Sequence, residues 1–376
     1  MAEDSATEEP LDGPVAKCDP RKNLQQRTRR NLLISTGIAT IAGALTGLPS
    51  KTQTVKAQAL PEPVPTSPSM RRDRTVVSGV GLPALPPIGI IALNRMGYGP
   101  RPGDLAAFTA LGKTDDERLS AYVAQQLAPA AIDDSACDAV LAAHNFTTLH
   151  KSLSQLWAEH IRAENNPYSN RILPANETEQ ATFLRAVYSK RQLQEVLTEH
   201  WFNHFNIYGW DSWTAPVMVH YDRDVVRANV LGNFRTMLGA VAKSPAMLYY
   251  LDNQSNSGGN PNENYARELF ELHAMGAENY LGVVPLIINA DGSYTHPAPK
   301  DDTGRPLLYV DADVYGATTC FTGWRIDSDT GIFTFDDSAH FPYQKVVLGR
   351  LIPEAQGIRD GEEVLDLVAK HPGTAR

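Results

Sequence analysis

Two stretches bring acids, imidazoles and amides together at helical spacing. In Glu199-His200-Trp201-Phe202-Asn203-His204 two histidines stand four residues apart, and in Asn264-Tyr265-Ala266-Arg267-Glu268-Leu269-Phe270-Glu271-Leu272-His273 an acid and a histidine border one helix face. Neutral imidazoles and a carboxylate are the groups that hold zinc or a similar divalent ion, whose bound water becomes a nucleophile near neutral pH. His204, Glu268 and His273 are therefore the candidate catalytic groups and metal ligands, and Asn203, Asn264 and Arg267 the candidate cofactor contacts. A pair of histidines on one turn lacks the further protein ligand that zinc needs, and local spacing supplies none. The same residues equally suit buried hydrogen bonds that fix one packing of helices. Two readings stand: an enzyme assisted by a divalent metal, or a non-catalytic scaffold or binding protein whose polar motif is structural.

The elements that carry these groups are legible from periodicity. Asn262 to Gly276 reads as one helix, because Asn262 offers a capping oxygen and Gly276 can adopt the left-handed conformation that ends a helix. Its stripe is Tyr265, Leu269, Leu272 and Gly276, with Glu268 and His273 at the edges and Asn264, Arg267 and Glu271 turned away. Arg267 and Glu271 are spaced to pair at i,i+4. The helix from Gln192 to Asn206 carries Leu193, Val196, Leu197, His200, Trp201, His204 and Phe205 on one stripe, so both histidines point inward. Packing the two stripes together is expected to bring His204 to Glu268 or to another polar group of the central motif, since unpaired buried polar groups are costly.

The chain ahead of these helices has the organisation of an exported protein. Thr28-Arg29-Arg30-Asn31-Leu32-Leu33-Ile34 resembles a twin-arginine signal, an apolar run continues to about Leu48, and Ala57-Gln58-Ala59 supplies a cleavage site. The modest hydrophobicity of that run and the Ala-x-Ala fit a removable signal better than a membrane anchor, and no other stretch is able to span a bilayer. Residues 1–59 are read as the signal, 60–87 as a proline-rich tether and 88–376 as the folded domain. The expected partner is the twin-arginine export machinery and the expected location periplasmic or extracellular. A net charge of −9, carried entirely beyond a slightly basic leader, makes nucleic acid an unfavourable partner. Cys137 and Cys320, the cysteines outside the signal, supply no disulfide framework and read as free buried thiols.

Within the domain, Asp104 is placed to cap a helix, and periodic segments at Leu119–Leu127, Ala136–His144 and Leu149–Ile161 are helical. A longer pattern runs from Val226 to Val241 and stops at Ser244-Pro245. The polar loop Asp252–Pro261 suits turns and capping rather than a calcium loop, because it lacks regular acid spacing. A beta-like run at Val283–Ile288 with an Asp291-Gly292 turn, a helix Ala312–Cys320, a hairpin across Asp329-Thr330-Gly331 and a last helix from Asp360-Gly361 complete the reading. The fold class is mainly α, a multi-helix globular domain with a small β-hairpin excursion.

An ordered series of motifs then resembles the bacterial domain-of-unknown-function 1800 family. It comprises Leu93-Asn94-Arg95-Met96-Gly97-Tyr98-Gly99, Trp201-Phe202-Asn203-His204-Phe205, Arg223-Asp224 with Arg227, Ser244-Pro245-Ala246-Met247-Leu248, Asn262 to Glu268 with Glu271-Leu272-His273, Thr322-Gly323-Trp324, His340, Lys345 and His371-Pro372. The resemblance implies a helical fold and an export signal but no reaction. His200 replaces a non-histidine residue of similar sequences, about Pro285 to Leu308 looks like an insertion, and His340-Phe341 stands where the family has His-Asp. His371 to Arg376 resembles the start of a helix that similar proteins continue, so the chain is expected to be cut short there.

Overall fold

The interior forms around aromatic and aliphatic side chains that no single helix can cover. Trp157, Phe205, Tyr221, Leu238, Tyr265, Phe270, Phe321 and Trp324 are all buried in one continuous core built from Leu153 onward, while the first helices pack around a smaller cluster of Ala92, Leu93, Phe108 and Tyr122. The computed structural model describes residues 84–374; the twin-arginine motif, the Ala57–Ala59 cleavage site, Cys18 and nearly all of the proline-rich tether lie outside them.

The described chain is mainly α. Helices α1 (Ile88–Arg95), α2 (Asp104–Thr109), α3 (Asp115–Gln126), α4 (Ser135–Ala143) and α5 (Leu153–His160) are short, and α3 and α5 start in capping boxes at Thr114 and Ser152. Asp104 is the first residue of α2, not its cap, and accepts the Arg101 backbone N–H at 2.9 Å. The 21-residue α6 (Tyr168–Tyr188) was not legible by apolar period because Pro174 interrupts it and polar residues fill its middle. Its Glu177 accepts Thr147 N–H at 3.0 Å and Thr148 N–H at 2.7 Å, tying the preceding loop to the helix.

Helix α7 (Gln192–His204) starts where sequence places it but buries most deeply a polar face beside the apolar stripe. Its buried side chains are Gln192, Glu195 and Thr198, and His200 is exposed, contrary to the inward stripe expected for it. Leu197, Trp201 and Phe205 of the expected stripe still pack on the core, and polar partners on neighbouring elements bury the adjoining face as well. Gln192 Oε1 accepts Tyr98 N–H at 3.0 Å, and a Cβ at Gly97 would sit 2.9 Å from the Gln192 side chain, so only glycine permits this approach. Gln126 adds bonds to Lys190 O and Leu193 N–H, which seat α3 against the start of α7.

The expected helix Val226–Val241 is divided. A π-helical turn, Tyr221–Val226, precedes a short 3-10 turn, and α8 (Phe234–Lys243) begins only after Asn233 caps Thr236 N–H. Ser244 then ends α8 and caps α9 (Pro245–Tyr250), as the Ser-Pro pair implies. The loop after it makes turns: Asn256 bonds Asn253, the Thr318 carbonyl and Asn262 N–H. Helix α10 (Asn264–Glu268) opens the central motif, and α11 (Asp311–Cys320) and α12 (Arg359–Ala369) keep to the expected limits.

Three two-stranded antiparallel sheets are the only sheets among the described residues. Ile287–Ile288 pairs with Tyr294–Thr295, so the beta-like run at 283–288 is realised only at its end. Trp324–Ile326 pairs with Phe333–Phe335 as expected, whereas the hairpin Lys345–Val347 with Arg350–Ile352 had no alternation long enough to be seen. Cys137 and Cys320 are free and buried. No helix among the described residues is long and apolar enough to cross a membrane.

Candidate functional site

The central motif does not continue as one α-helix. Helix α10 stops at Glu268, and Leu269–His273 is a π-helical turn, with Asn262 Oδ1 receiving Asn264 N–H at 3.1 Å before the first turn. Each π hydrogen bond spans one residue more than an α bond, which widens the turn and rotates the residues beyond Glu268. Leu269, Phe270 and His273 are buried while Leu272 is 51% exposed, overturning the stripe in which Leu272 faced inward. Gly276 ends the segment at φ 90° and ψ 146°, a positive-φ extended geometry open essentially to glycine and not the left-handed helical one expected. Its N–H reaches back to the Phe270 carbonyl at 3.0 Å.

This rotation brings His273 to the end of α7. His204 Nε2 donates to the His273 carbonyl at 3.0 Å, so the predicted meeting of the two helices occurs at a polar backbone group of the motif. The His273 ring lies 5.3 Å from Phe205 and 6.4 Å from Tyr265, centroid to centroid, and its Nδ1 is buried without a partner. Burial, assisted by the neighbouring His204, pushes the His273 pKa down to about 3, and the ring is neutral at physiological pH.

The other candidates are dispersed around this contact. Arg267 does not pair with Glu271; its Nη2 bonds Glu263 at 3.0 Å and Asp311 at 2.8 Å. Glu263 precedes Arg267 by one turn, the favoured acid-first order, and Asp311 opens α11. Burial opposes the Arg267 charge, but these two acids outweigh it and raise its pKa. Glu268 and Asn264 are half-buried and Asn203 is exposed. Among the described residues no group of three or more His, Cys, Asp or Glu side chains is arranged to hold a metal ion, so His204, Glu268 and His273 do not form a ready-made coordination shell.

His340, one of the family-like motif residues, makes its polar contacts elsewhere. Its Nδ1 lies 2.8 Å from the Thr322 carbonyl and its Nε2 2.9 Å from Asp360 Oδ2, and Lys345 Nζ also binds that oxygen. The acid missing beside His340 in sequence thus arrives from α12. Sequence reasoning missed two more buried polar clusters. In one, Arg227 Nη1 bonds Glu195 at 2.8 Å, its Nε reaches Asp222 at 3.4 Å, and Arg185 stands 3.9 Å from Asp222. Burial opposes the Arg227 charge, but Asp222 and then Glu195 outweigh it and raise its pKa. In the other, Asp313 accepts His296 Nε2–H at 2.8 Å, Val310 N–H at 2.9 Å and Leu348 N–H at 2.7 Å. Asp313 in the first turn of a helix was a readable signal; Glu195 on the polar side of α7 was not.

The fold and site define a mainly helical protein held together by buried polar clusters around a π-turned central motif. Residues 91–376 match the family described as "Protein of unknown function (DUF1800)", and the chain belongs to that family. No curated protein and no solved structure matches it.

Proposed function

We propose that this chain is an exported protein that folds before crossing the membrane, and that its central motif is a packing clamp in a non-catalytic scaffold or binding protein. The observation that carries this reading is the 3.0 Å bond from His204 Nε2 to the His273 backbone carbonyl: a ring nitrogen spent on the main chain ties α7 to the π turn. Arg267, bound to Glu263 and Asp311, likewise joins the motif to α11. Export is supported by the order of Arg29-Arg30, the apolar run and Ala57-Gln58-Ala59. Replacing both arginines by lysine is expected to leave the protein in the cytoplasm; cell fractionation that finds the variant outside the inner membrane as before would refute the route.

A second reading, a metal-assisted enzyme using His204, Glu268 and His273, is favoured by one feature, the buried unpartnered Nδ1 of His273 beside the His204 ring. Glu268→Gln separates the two. The clamp reading expects a melting temperature lowered by several degrees and unchanged metal content, measured by calorimetry and elemental analysis of protein taken from its exported compartment. Stoichiometric metal in the wild type that Glu268→Gln loses at an unchanged melting temperature would establish the enzyme reading instead.

A further inference from the structure

Lys345 and Asp360 form an ion pair with no access to water. Their side chains are 1% and 0% exposed, and the Lys345 ammonium also lies 5.6 Å from the Phe341 ring centroid. Asp360 Oδ2 accepts from Lys345 Nζ and lies within hydrogen-bond distance of His340 Nε2, while Asp360 Oδ1 is buried without a partner. A charged pair in such surroundings has lost its hydration and regains only part of it through one shared oxygen. Passing one proton from Nζ to the carboxylate removes both charges and leaves an amine against a carboxylic acid, the reactants of an amide bond.

We propose that Lys345 and Asp360 join in an autocatalytic isopeptide bond. The neutral Nζ attacks Asp360 Cγ, forming the N–C bond and a tetrahedral centre. The C–Oδ2 bond then breaks, the nitrogen gives up a proton, and Oδ2 leaves as water, so that an ammonium and a carboxylate become one amide and one water with no oxidant or reductant. His340 is the proton carrier: its Nε2 lies 2.9 Å from the departing Oδ2 and 3.4 Å from Nζ. Thr322 holds the opposite side of the ring, its carbonyl 2.8 Å and its Oγ1 3.1 Å from Nδ1. Two groups held in contact by the fold react as an effectively unimolecular pair, which removes the entropic barrier that keeps free amines and carboxylates apart. A cavity of ≈ 390 Å³ lined by His340, Phe341, Ser257 and Tyr343 borders the relay and offers the released water a way out. The remaining Oδ1 becomes the amide carbonyl, and an uncharged oxygen tolerates its unpartnered position better than a carboxylate does. The product staples the strand at Lys345–Val347 to the first turn of α12, independently of the clamp proposed for the central motif.

The test is mass spectrometry of the folded full chain after tryptic digestion. The expected result is a branched peptide joining the Lys345 and Asp360 fragments, lighter than their sum by one water. Lys345→Met yields the Asp360 fragment as an ordinary linear peptide. His340→Gln, sampled at intervals after refolding, accumulates the branched peptide at least tenfold more slowly. Linear Lys345 and Asp360 peptides in nearly all of the wild-type chain would overturn the bond, and an unchanged rate in His340→Gln would overturn the relay.

Discussion

Taking the protein from pH 7 to pH 3 is expected to remove on the order of 5 kcal/mol of stability through His273 alone. The His273 pKa falls from an ordinary 6.5 to about 3, chiefly because its ring is buried and secondarily because His204 is close. Between these values the unfolded chain binds a proton at this site and the folded chain does not. Stability therefore rises with pH across the window: its full value is present above about 6.5, it declines by about 1.4 kcal/mol per pH unit below that, and the loss is complete near pH 3. His273→Phe keeps an aromatic ring in the box of Phe205 and Tyr265 and removes the titrating group. Chemical denaturation of both proteins at pH 7, 6, 5 and 4 reads the effect as a difference, which cancels the carboxylates that titrate at the acid end. The variant should match the wild type within about 1.5 kcal/mol at pH 7 and become the more stable protein as the pH falls. Parallel stability curves for the two proteins would show that His273 titrates normally in the folded state.

Arg227→Met is expected to cost about 3–5 kcal/mol at neutral pH, because it leaves Glu195 and Asp222 buried and short of a counter-charge. Both carboxylates are nearly inaccessible, and Arg185, 3.9 Å from Asp222, is too distant to replace the bonds Arg227 makes to Glu195. Adding Glu195→Gln to Arg227→Met should restore part of the loss, since an amide is less costly to bury than a carboxylate. The urea midpoints of the two single variants and the double variant make the comparison. Strict additivity of the two losses would mean that the pair does not couple, and that this cluster does not set the orientation of α7.

The two predictions concern the parts of the molecule where local pattern and final structure diverge. Apolar period found α5, α7 and α12 because each repeats its apolar side chains at the helical interval, and turn chemistry found Ser244-Pro245 and the Gly331 hairpin for equally local reasons. The meeting of α7 with the central motif was also readable, since two marked faces of comparable length need a partner. Its atoms were not: His204 finds a main-chain carbonyl, because the π turn displaces His273 by an amount that a regular helix cannot anticipate.

The sequence by itself determined a mainly helical domain, the family to which it belongs, and several helix limits, because propensity, capping and period act over a few residues. Tertiary structure alone decided that the polar face of α7 is buried, that Arg267 finds Asp311 as its second acid, and which carboxylate stands beside His340 and Lys345. Those choices depend on charges brought from 15 or more residues away, as Asp360 is to Lys345. A buried charge is stable only beside its partner, so the partner's position, fixed by the whole fold, overrides the local preference of the segment that carries it.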